Sequence, residues 1–467
     1  MIPGSVTDKI ISFDGTRCYS GQFSDDGNFF FSCSQDFKVR MYDTSNPFEW
    51  KYYKTVAYPF GYWTITDATL SPDNRFLAYS SMRNLVCLAS TDPADMSDPS
   101  VLDFAALGGR AHFDPYFAIY SVRFSGDGRE IVAGTGEEDP SVIVYDLETR
   151  QPVVRMCKHE QDVNAVCFGD SSSPHILYSG SDDTTLRVWD RRSLGDGREA
   201  GVFLGHTEGL TYIDSKGDGR YVLSNGKDQT MKLWDLRKMV TTANFDMMDV
   251  RLYSTGDFDY RWDTYPDDYY RPHPDDCSVV TYRGHRVLRT LIRCHFSPPD
   301  STNSRYVYTG SQDGKVYIYN LDATLAGTVD VGGATYKSPV NRYNPAVCRH
   351  TMSRRQWETC VRDVSWHPNA PVLAGKYQSV HAQEAFCILT PSAATSWNGL
   401  ADAASGRSPG TCTIHTWNDN ATMDEGDPPV GKSYNTRLMP VPDHNTRLEE
   451  EVRSRAVRPR RWGHLEL

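Results

Sequence analysis

Residues 159–192 read HEQDVNAVCFGDSSSPHILYSGSDDTTLRVWDRR, and residues 206–237 read HTEGLTYIDSKGDGRYVLSNGKDQTMKLWDLR. The two stretches repeat one pattern, in which a Ser stands four residues before an Asp and that Asp stands six residues before a Trp. Short alternating strands divided by Gly/Asp turns, at a period of about 40–45 residues, are typical of a propeller blade. Because one blade cannot bury both faces of its sheet, the pattern predicts a ring of such units.

The same spacing recurs along the rest of the chain. Five further units follow it wholly or in part. Residues 17–43 and 291–320 keep the spacing with Tyr in the Trp position, residues 63–90 have Asn84 for the Asp and no aromatic residue, residues 119–146 have an extended turn at 137–140, and residues 360–374 begin the last unit. With the first two copies they make seven units, which predicts an all-β fold, a seven-bladed propeller with Trp-Asp (WD) repeats. The outer strand of a blade in such propellers comes from the start of the next repeat. We therefore expect residues 5–12 to complete the last blade and to hide its open edge.

The repeated His, Ser, Asp and Trp have an enzymatic and a structural interpretation. A Ser/His/Asp group can act as a nucleophilic triad, but such a triad occurs once in an active site, whereas this group recurs from blade to blade. Buried polar groups must be paired, at a cost of about 1–3 kcal/mol for each one left unpaired. We therefore expect three hydrogen-bonded structural sets: His159, Ser179, Asp183 and Trp189; His206, Ser224, Asp228 and Trp234; and His285, Thr309, Asp313 and Tyr319. The sequence predicts no catalytic residue, so we do not expect an enzyme.

Composition narrows the class of protein further. The chain has 467 residues and a formal net charge of −11, which argues against direct nucleic-acid binding, because phosphate neutralisation needs clustered Lys and Arg. Its 11 Cys lack zinc-finger spacing and are expected to be buried in a reducing compartment. No apolar run reaches the roughly 20 residues that span a bilayer, and no phosphate-binding loop or HExxH metal pair occurs. We expect a protein of the nucleus, the cytoplasm or both, with no cofactor and no metal.

Two segments outside the blades stand out. Residues 239–282 form a long connection rich in Asp and Tyr, which fits either an irregular surface loop or a protein-contact surface. Residues 419–467 have mixed charge and few apolar residues, which predicts a disordered tail after a propeller of residues 1–418. A basic run at 453–461 is better explained as part of a solvated tail than as a localisation patch.

Blade seven contains a segment that interrupts its repeat. Joining Ala374 directly to Ala394 gives PVLAATSWNG, a strand that runs into a tight turn, and TCTIHTWN then forms a third strand ending at Trp417 and Asn418. Residues 375–393 are therefore interpreted as an intrusion. A translated intron would explain it, since GKY can be encoded by a GGTAAGTAT-like donor and ILTPSA by an acceptor-like sequence. An ordinary loop insertion is the alternative.

Several motifs are more specific than the repeat itself. HEQDVNAVCF, SKGDGRYVLSNGKDQT, YRGHRVLRTLIRCHFSP, CVRDVSWHP and the DYRW of the 239–282 connection resemble the WD-repeat protein twenty-three type of receptor. These receptors bind substrates for cullin-4 RING ubiquitin ligases. The resemblance runs from about residue 10 to 374 and resumes at 394. Chains of that family usually carry a longer N-terminal extension than this one, so a truncated or mispredicted gene product is one interpretation.

The resemblance also implies a docking edge. Receptors for the adaptor of these ligases, damaged-DNA-binding protein 1, commonly end two neighbouring blades with WDxR. Here the motif comprises Trp189, Asp190 and Arg192, and then Trp234, Asp235 and Arg237. A guanidinium at each strand end could pair bidentately with carboxylates or carbonyls of a partner. The alternative is that each Arg only caps its local turn.

The opposite, loop-rich face would then receive the substrate. The residue before each turn Asp and the residues near the starts of inner strands are the candidates: Gln35, Trp63, Asn164, Asp182, Lys227, Gln312 and Arg362. The resemblance implies a non-catalytic receptor that presents target proteins to the adaptor, cullin-4 and its RING subunit for ubiquitination and proteasomal degradation. A WD-repeat scaffold unrelated to ubiquitin ligation is the alternative. Adaptor binding would separate the two.

Overall fold

The computed structural model describes residues 2–3, 6–13, 17–105, 117–137, 140–170, 172–248, 258–265, 271–336, 358–370, 372–380 and 410–416. Within these residues the chain forms seven antiparallel sheets of four strands each, which we number as blades 1 to 7 in chain order. The prediction of a seven-bladed propeller is confirmed.

The strands follow one another from the inner to the outer edge of each blade. Blade 1 comprises β2 (Cys18–Ser20), β3 (Phe29–Ser34), β4 (Lys38–Asp43) and β5 (Lys51–Ala57); blade 2 comprises β6 (Ile65–Leu70), β7 (Phe76–Ser81), β8 (Leu85–Ser90) and β9 (Ser100–Asp103); and blade 3 comprises β10 (Phe117–Phe124), β11 (Glu130–Glu137), β12 (Val142–Asp146) and β13 (Gln151–Met156). Blade 4 comprises β14 (Val163–Asp170), β15 (Ser173–Ser181), β16 (Leu186–Asp190) and β17 (Gly201–Phe203); blade 5 comprises β18 (Leu210–Ser215), β19 (Tyr221–Gly226), β20 (Met231–Asp235) and β21 (Val280–Tyr282); and blade 6 comprises β22 (Cys294–Phe296), β23 (Tyr306–Thr309), β24 (Lys315–Asn320) and β25 (Leu325–Asp330). Blade 7 comprises β26 (Glu358–Trp366), β27 (Val372–Val380), β28 (Gly410–Thr416) and β1 (Val6–Phe13).

The two ends of the ring meet in blade 7. Strand β1 pairs antiparallel with β28, so that Val6 lies opposite Thr416 and Phe13 lies opposite Gly410. The prediction that residues 5–12 complete the last blade is confirmed, and the outer edge of β28 is covered.

Blade 7 differs from the sequence-based reconstruction in one respect. Residues 375–380, the beginning of the segment interpreted as an intrusion, belong to β27 and pair with β26, Gly375 opposite Val364. Residues 381–409, Trp417, Asn418 and the predicted disordered tail lie outside the described residues. The hypothesis of a translated intron stays a prediction about the gene.

The tight turn between the second and third strands has a common backbone in four blades. The residue directly after the turn Asp has a positive φ: Phe37 (60°), Thr184 (71°), Gln229 (64°) and Gly314 (82°). In blade 4 the Asp183 carboxylate accepts hydrogen bonds from the backbone N–H and hydroxyl of Thr185 (3.0 and 2.6 Å). A short polar side chain that closes the turn explains why Asp recurs there.

The inner strands share a second irregularity, which shapes the central channel. A β-bulge shifts the register of the first strand pair in six blades, with Tyr19, Thr66, Tyr120, Asn164, Thr211 and Arg362 at the shifts. Bulges re-aim side chains and occur preferentially beside functional sites. In this protein the register shifts recur near the start of the inner strand in each of the six blades.

Packing between blades supplies the core, and helices are few. Between blades 4, 5 and 6, buried side chains such as Tyr178, Leu210, Trp234 and Tyr282 form one continuous apolar cluster. The described α-helices are α1 (Thr242–Phe245), α2 (Pro299–Thr302) and α3 (Val331–Tyr336), and two short 3-10 helices (Arg191–Asp196 and Leu236–Lys238) follow β16 and β20. None of them is long and apolar enough to span a lipid bilayer.

Candidate functional site

Blades 4 and 5 bring their repeated polar residues together. In blade 5, the Trp234 indole N–H donates to Ser224 Oγ (2.8 Å), which lies 2.7 Å from His206 Nε2. His206 Nδ1 lies 2.9 Å from the Asp228 carboxylate. The network fastens a loop and a turn to two strands, in line with the structural interpretation.

Blade 4 repeats this network with the same partners. The Trp189 indole N–H donates to Ser179 Oγ (2.8 Å), and His159 bridges Ser179 (2.7 Å) and Asp183 (2.7 Å). Burial alone would raise the pKa of Asp183, but the neighbouring His159 and its hydrogen bond hold that pKa below its ordinary value.

Removing the shared hydroxyl of this network should destabilise the protein. We expect Ser224→Ala to lower the free energy of unfolding by about 1–3 kcal/mol, because the buried Trp234 N–H and His206 Nε2 both lose a partner. Urea denaturation measures the change. Ser100→Ala, at an exposed strand position, is the control, and an equal loss in both variants would contradict the structural role of Ser224.

Blade 6 does not form the predicted network. His285 Nε2 lies 2.9 Å from the Asn225 amide oxygen of blade 5, while the exposed Asp313 accepts a hydrogen bond from the Tyr317 hydroxyl (2.8 Å). The prediction that His285 and Asp313 are bonded in one set with Thr309 is therefore wrong.

The replacement of Trp by Tyr319 explains the difference. The Tyr319 hydroxyl donates to the Arg283 carbonyl (2.9 Å), whereas an indole N–H at this position in blades 4 and 5 points at the strand hydroxyl. Thr309 donates instead to the Arg293 carbonyl (3.0 Å). Among the described residues no carboxylate is bonded to His285, whose Nδ1 lies 3.4 Å from the Tyr319 hydroxyl, and burial lowers its pKa to about 4.

This lowered pKa predicts a pH-dependent loss of stability. His285 in the unfolded chain titrates near its ordinary pKa of about 6.5, so between pH 6.5 and 4 the unfolded state binds more protons than the folded state. Stability therefore falls as the pH falls, and we expect His285 to contribute a loss of about 2 kcal/mol between pH 7.5 and pH 5. Urea titrations of the wild type and His285→Asn at both pH values measure it. A pH dependence that is unchanged in the variant would contradict it.

The WDxR arginines lie on the face opposite the tight turns, because the turn and the motif occupy the two ends of the third strand of a blade. We call their surface the arginine face and the other the turn face. Arg192 forms a bidentate pair with Asp190 (2.9 and 2.7 Å), and Arg237 does the same with Asp235 (3.1 and 2.8 Å). Both Arg side chains are largely exposed, at 64% and 69%. Each guanidinium is held in place with one edge available to a partner.

Another cation lies beside Arg237 on the arginine face. Arg220 pairs with the same buried Asp235 (2.9 Å), and its guanidinium stacks on the Tyr221 ring (4.5 Å). Lys216 Nζ lies 5.2 Å from the centre of the same ring. Arg220, Arg237 and Lys216 thus lie close together here, each paired with the carboxylate of Asp235 or Asp218. The sequence reasoning missed Arg220, because its pairing with Asp235 is not visible in the WDxR motif.

On the turn face, three predicted substrate-face residues contact one another. The Asp182 carboxylate accepts hydrogen bonds from Lys227 Nζ (2.6 Å) and the Asn164 side-chain amide (2.7 Å). The DYRW segment covers this group, with the Tyr260 ring 4.4 Å from Lys227 Nζ. The segment is fixed by Arg289, which donates to the carbonyls of Arg261 (2.9 Å) and Trp262 (2.8 Å). The DYRW part of the 239–282 connection thus lies against the turn face, whereas the end of that connection forms β21, the outer strand of blade 5.

The remaining candidates are spread around the turn face. Gln35 and Gln312 are half-buried and their backbone N–H groups bond to the carbonyls of Arg17 and Arg286. Trp63 is exposed and contacts the Tyr19 ring. Arg362 lies in the channel wall.

A charged network in the central channel was not predicted from the sequence. Asp67 of blade 2 accepts hydrogen bonds from Arg123 of blade 3 (2.6 Å) and Arg293 of blade 6 (2.8 Å). Arg293 also approaches Asp363 of blade 7 (3.6 Å), which lies 3.0 Å from His295. Burial alone would raise the pKa of Asp67, but the two guanidinium groups keep it below its ordinary value.

The channel opens into a cavity on the arginine face. Its volume is about 540 Å³, and its lining includes Asp25, Asp214, Arg293, His295 and Asp363. Across the described ranges, no three His, Cys, Asp or Glu side chains converge in a way that could hold a metal ion. The channel is therefore lined by paired charges, and the cavity into which it opens has both carboxylates and cations in its lining.

Comparison with known proteins agrees with this architecture. Residues 8–43, 150–190, 197–235 and 276–320 match the family described as WD domain, G-beta repeat. The LEC14B protein of Lithospermum erythrorhizon is 43% identical over 378 residues, covering 79% of this chain and 71% of that protein. The chain belongs to the LEC14B family. The LEC14B homolog of Prunus armeniaca is 45% identical over 364 residues, covering 76% of this chain and 69% of that one.

Another relative of this LEC14B-family chain is named after the proteins with which it associates. The DDB1- and CUL4-associated factor 11 homolog of Caenorhabditis elegans is 36% identical over 324 residues, covering 67% of this chain and 55% of that protein. Relatives with this name support the resemblance to cullin-4-associated WD-repeat proteins that the sequence motifs indicated.

Proposed function

We propose that this chain is a non-catalytic substrate receptor of a cullin-4 RING ubiquitin ligase, of the WD-repeat protein twenty-three type. The observation that carries the proposal is the matched pair Arg192 and Arg237, presented with the same geometry on one face of neighbouring blades. Relatives named DDB1- and CUL4-associated factor 11 homolog support the same adaptor and cullin as partners.

The arginine face supplies the chemistry of docking. Asp190 and Asp235 pre-orient the two guanidinium groups, so that less side-chain freedom is lost when a partner binds. A planar guanidinium can donate in parallel to a carboxylate or to two carbonyls. Such interface arginines are frequent hot spots.

The turn face supplies the surface for the substrate. It lies on the far side of the propeller from Arg192 and Arg237, so a target protein and the adaptor could bind together without competing. The associated RING subunit and its ubiquitin-carrying enzyme would transfer ubiquitin, while this chain contributes proximity and orientation. We place this activity in the nucleus, the cytoplasm or both.

Complex formation with the purified adaptor tests the proposal. The full chain, mixed with damaged-DNA-binding protein 1, should elute with it from a size-exclusion column, and cullin-4 with its RING subunit should join the complex. A folded chain that elutes apart from the adaptor would contradict the proposal and favour a scaffold for another complex.

A further inference from the structure

A buried cation at the turn-face end of the channel forms no ion pair with a carboxylate in the part of the chain that the structure describes. The side chain of Arg362 is shielded, with the residue only 8% exposed, and it donates one hydrogen bond within the described residues, to the Tyr19 carbonyl (2.6 Å). None of the described Asp or Glu side chains forms an ion pair with it. The connection 337–357, which leads into β26, contains no Asp or Glu. A shielded charge without a counter-ion is costly, so its retention indicates a ligand.

The neighbouring carboxylates are committed elsewhere. Asp67 is held by Arg123 and Arg293, and Asp363 is held by His295 and by the Gly21 backbone N–H (3.2 Å). Burial, with the positive charge of Arg293 as the next cause, lowers the pKa of Arg362 to about 10. The local balance of charge at Arg362 is therefore positive.

An aromatic surface adjoins this cation. The Arg362 guanidinium lies 5.3 Å from the centre of the Tyr19 ring, and the centre of the Trp63 ring lies 6.0 Å from the same point. Trp63 and Tyr62 are 37% and 49% exposed. Exposed aromatic side chains next to an Arg are the typical composition of a binding hot spot.

The backbone of Trp63 is strained. Its φ is 65°, in the left-handed region that a bulky side chain seldom adopts. Backbone strain of this kind is stabilised by surrounding structure and clusters at ligand-binding positions. It presents the indole at the channel mouth, which we define by Tyr19, Tyr62, Trp63 and Arg362.

We propose that the channel mouth binds the C-terminal end of a substrate polypeptide. The terminal carboxylate pairs with Arg362, and the apolar side chain just before it packs on Trp63 and Tyr62. A chain end is favoured over an internal acidic residue because Arg362 lies in the wall of an axial channel. A chain end enters such a channel carboxylate first, whereas an internal segment has to lie across it. This inference rests on the proposed function, which assigns the turn face to the substrate.

A peptide experiment with the full chain tests this assignment. A pooled library of synthetic nonapeptides with free C-terminal carboxylates is passed over the immobilised chain, retained peptides are identified by mass spectrometry, and one is labelled for fluorescence polarisation. We expect the retained peptides to share an apolar side chain next to the terminal carboxylate. We expect the C-terminal amide of the same peptide to bind at least about tenfold more weakly, as a lost charge-assisted pair requires.

Variants locate the site and separate the two proposals. Arg362→Met, which removes a buried charge at similar volume, and Trp63→Ala should each weaken peptide binding at least about tenfold, while Arg286→Gln, an exposed turn-face control, should not. Adaptor binding should persist in all three. The inference would be overturned if no free-acid peptide is retained, if the amide binds as tightly as the acid, or if an internal Glu restores binding of the amide. Loss of adaptor binding by the wild type would instead overturn the proposed function.

Discussion

Replacing Asp67 with Asn should lower the free energy of unfolding by about 3–5 kcal/mol, the largest stability effect of a single substitution that we expect in this protein. Asp67 is fully buried and accepts hydrogen bonds from Ser121, Val122, Arg123 and Arg293. Through these bonds one carboxylate joins blades 2, 3 and 6 across the channel.

The expected size of the effect follows from what remains after the substitution. Asn keeps the shape of Asp67 but removes its charge, so Arg123 and Arg293 stay buried with less compensation. Arg293 still approaches Asp363, but at the longer distance of 3.6 Å. The destabilisation caused by Asp67→Asn should be smaller at very low pH. The pKa of Asp67 is held below its ordinary value, so the ion pairs of the wild-type carboxylate weaken only as the pH falls through this lowered pKa.

Urea denaturation at pH 7.5, followed by tryptophan fluorescence, measures the change. Asp98→Asn is the matched control, because Asp98 is exposed on the connection between β8 and β9. A change below about 1 kcal/mol in Asp67→Asn would show that the channel charges do not hold the ring together.

Replacing Arg192 and Arg237 together with Ala should weaken adaptor binding about 1000-fold. Each residue is a hot-spot candidate, and its truncation should cost about 2 kcal/mol of binding free energy, which is about 30-fold in affinity. The two losses add when the two side chains do not contact the same residue. The side chains pair with different carboxylates, Asp190 and Asp235, on different blades. Stability should change little, because both guanidinium groups are mostly exposed.

Biolayer interferometry with immobilised adaptor measures both single variants and the double variant. Arg129→Ala is the control, because Arg129 is an exposed residue at the same end of blade 3. The interaction should also weaken with added salt in the wild type more than in the double variant. Equal affinity of the double variant and Arg129→Ala would remove the arginine face from the docking surface.

The fold was predictable because its signal repeats. Blades 1, 4, 5 and 6 show the same spacing of turn Asp and strand hydroxyl, so an irregular unit such as that of Asn84 could still be placed by its neighbours. Blade 6 shows the limit of this reasoning. Tyr319 keeps the spacing of Trp189 and Trp234 but lacks an indole N–H, and the hydrogen-bond partner of its hydroxyl cannot be predicted from spacing alone.

The candidate site was only partly predictable, since its contacts are not local. Asp67 lies in the inner strand β6 and Arg293 directly precedes the inner strand β22, and charged residues are seldom buried unless paired, so a partner for each could have been expected. That they pair with each other, 226 residues apart, depends on the closed ring. Likewise the position of Tyr260 over Lys227 follows from the course of a long connection that has no periodicity.

The pairing of β1 with β28 has a consequence for how the protein is made. Residue Val6 is synthesised 410 residues before its partner Thr416, so six blades are translated between the two. During that interval an extended segment with unsatisfied backbone groups is open to other strands. Pairing over such a sequence separation is also slow. Nascent chains of this protein should therefore depend on chaperones that shield strand edges until the final blade can close.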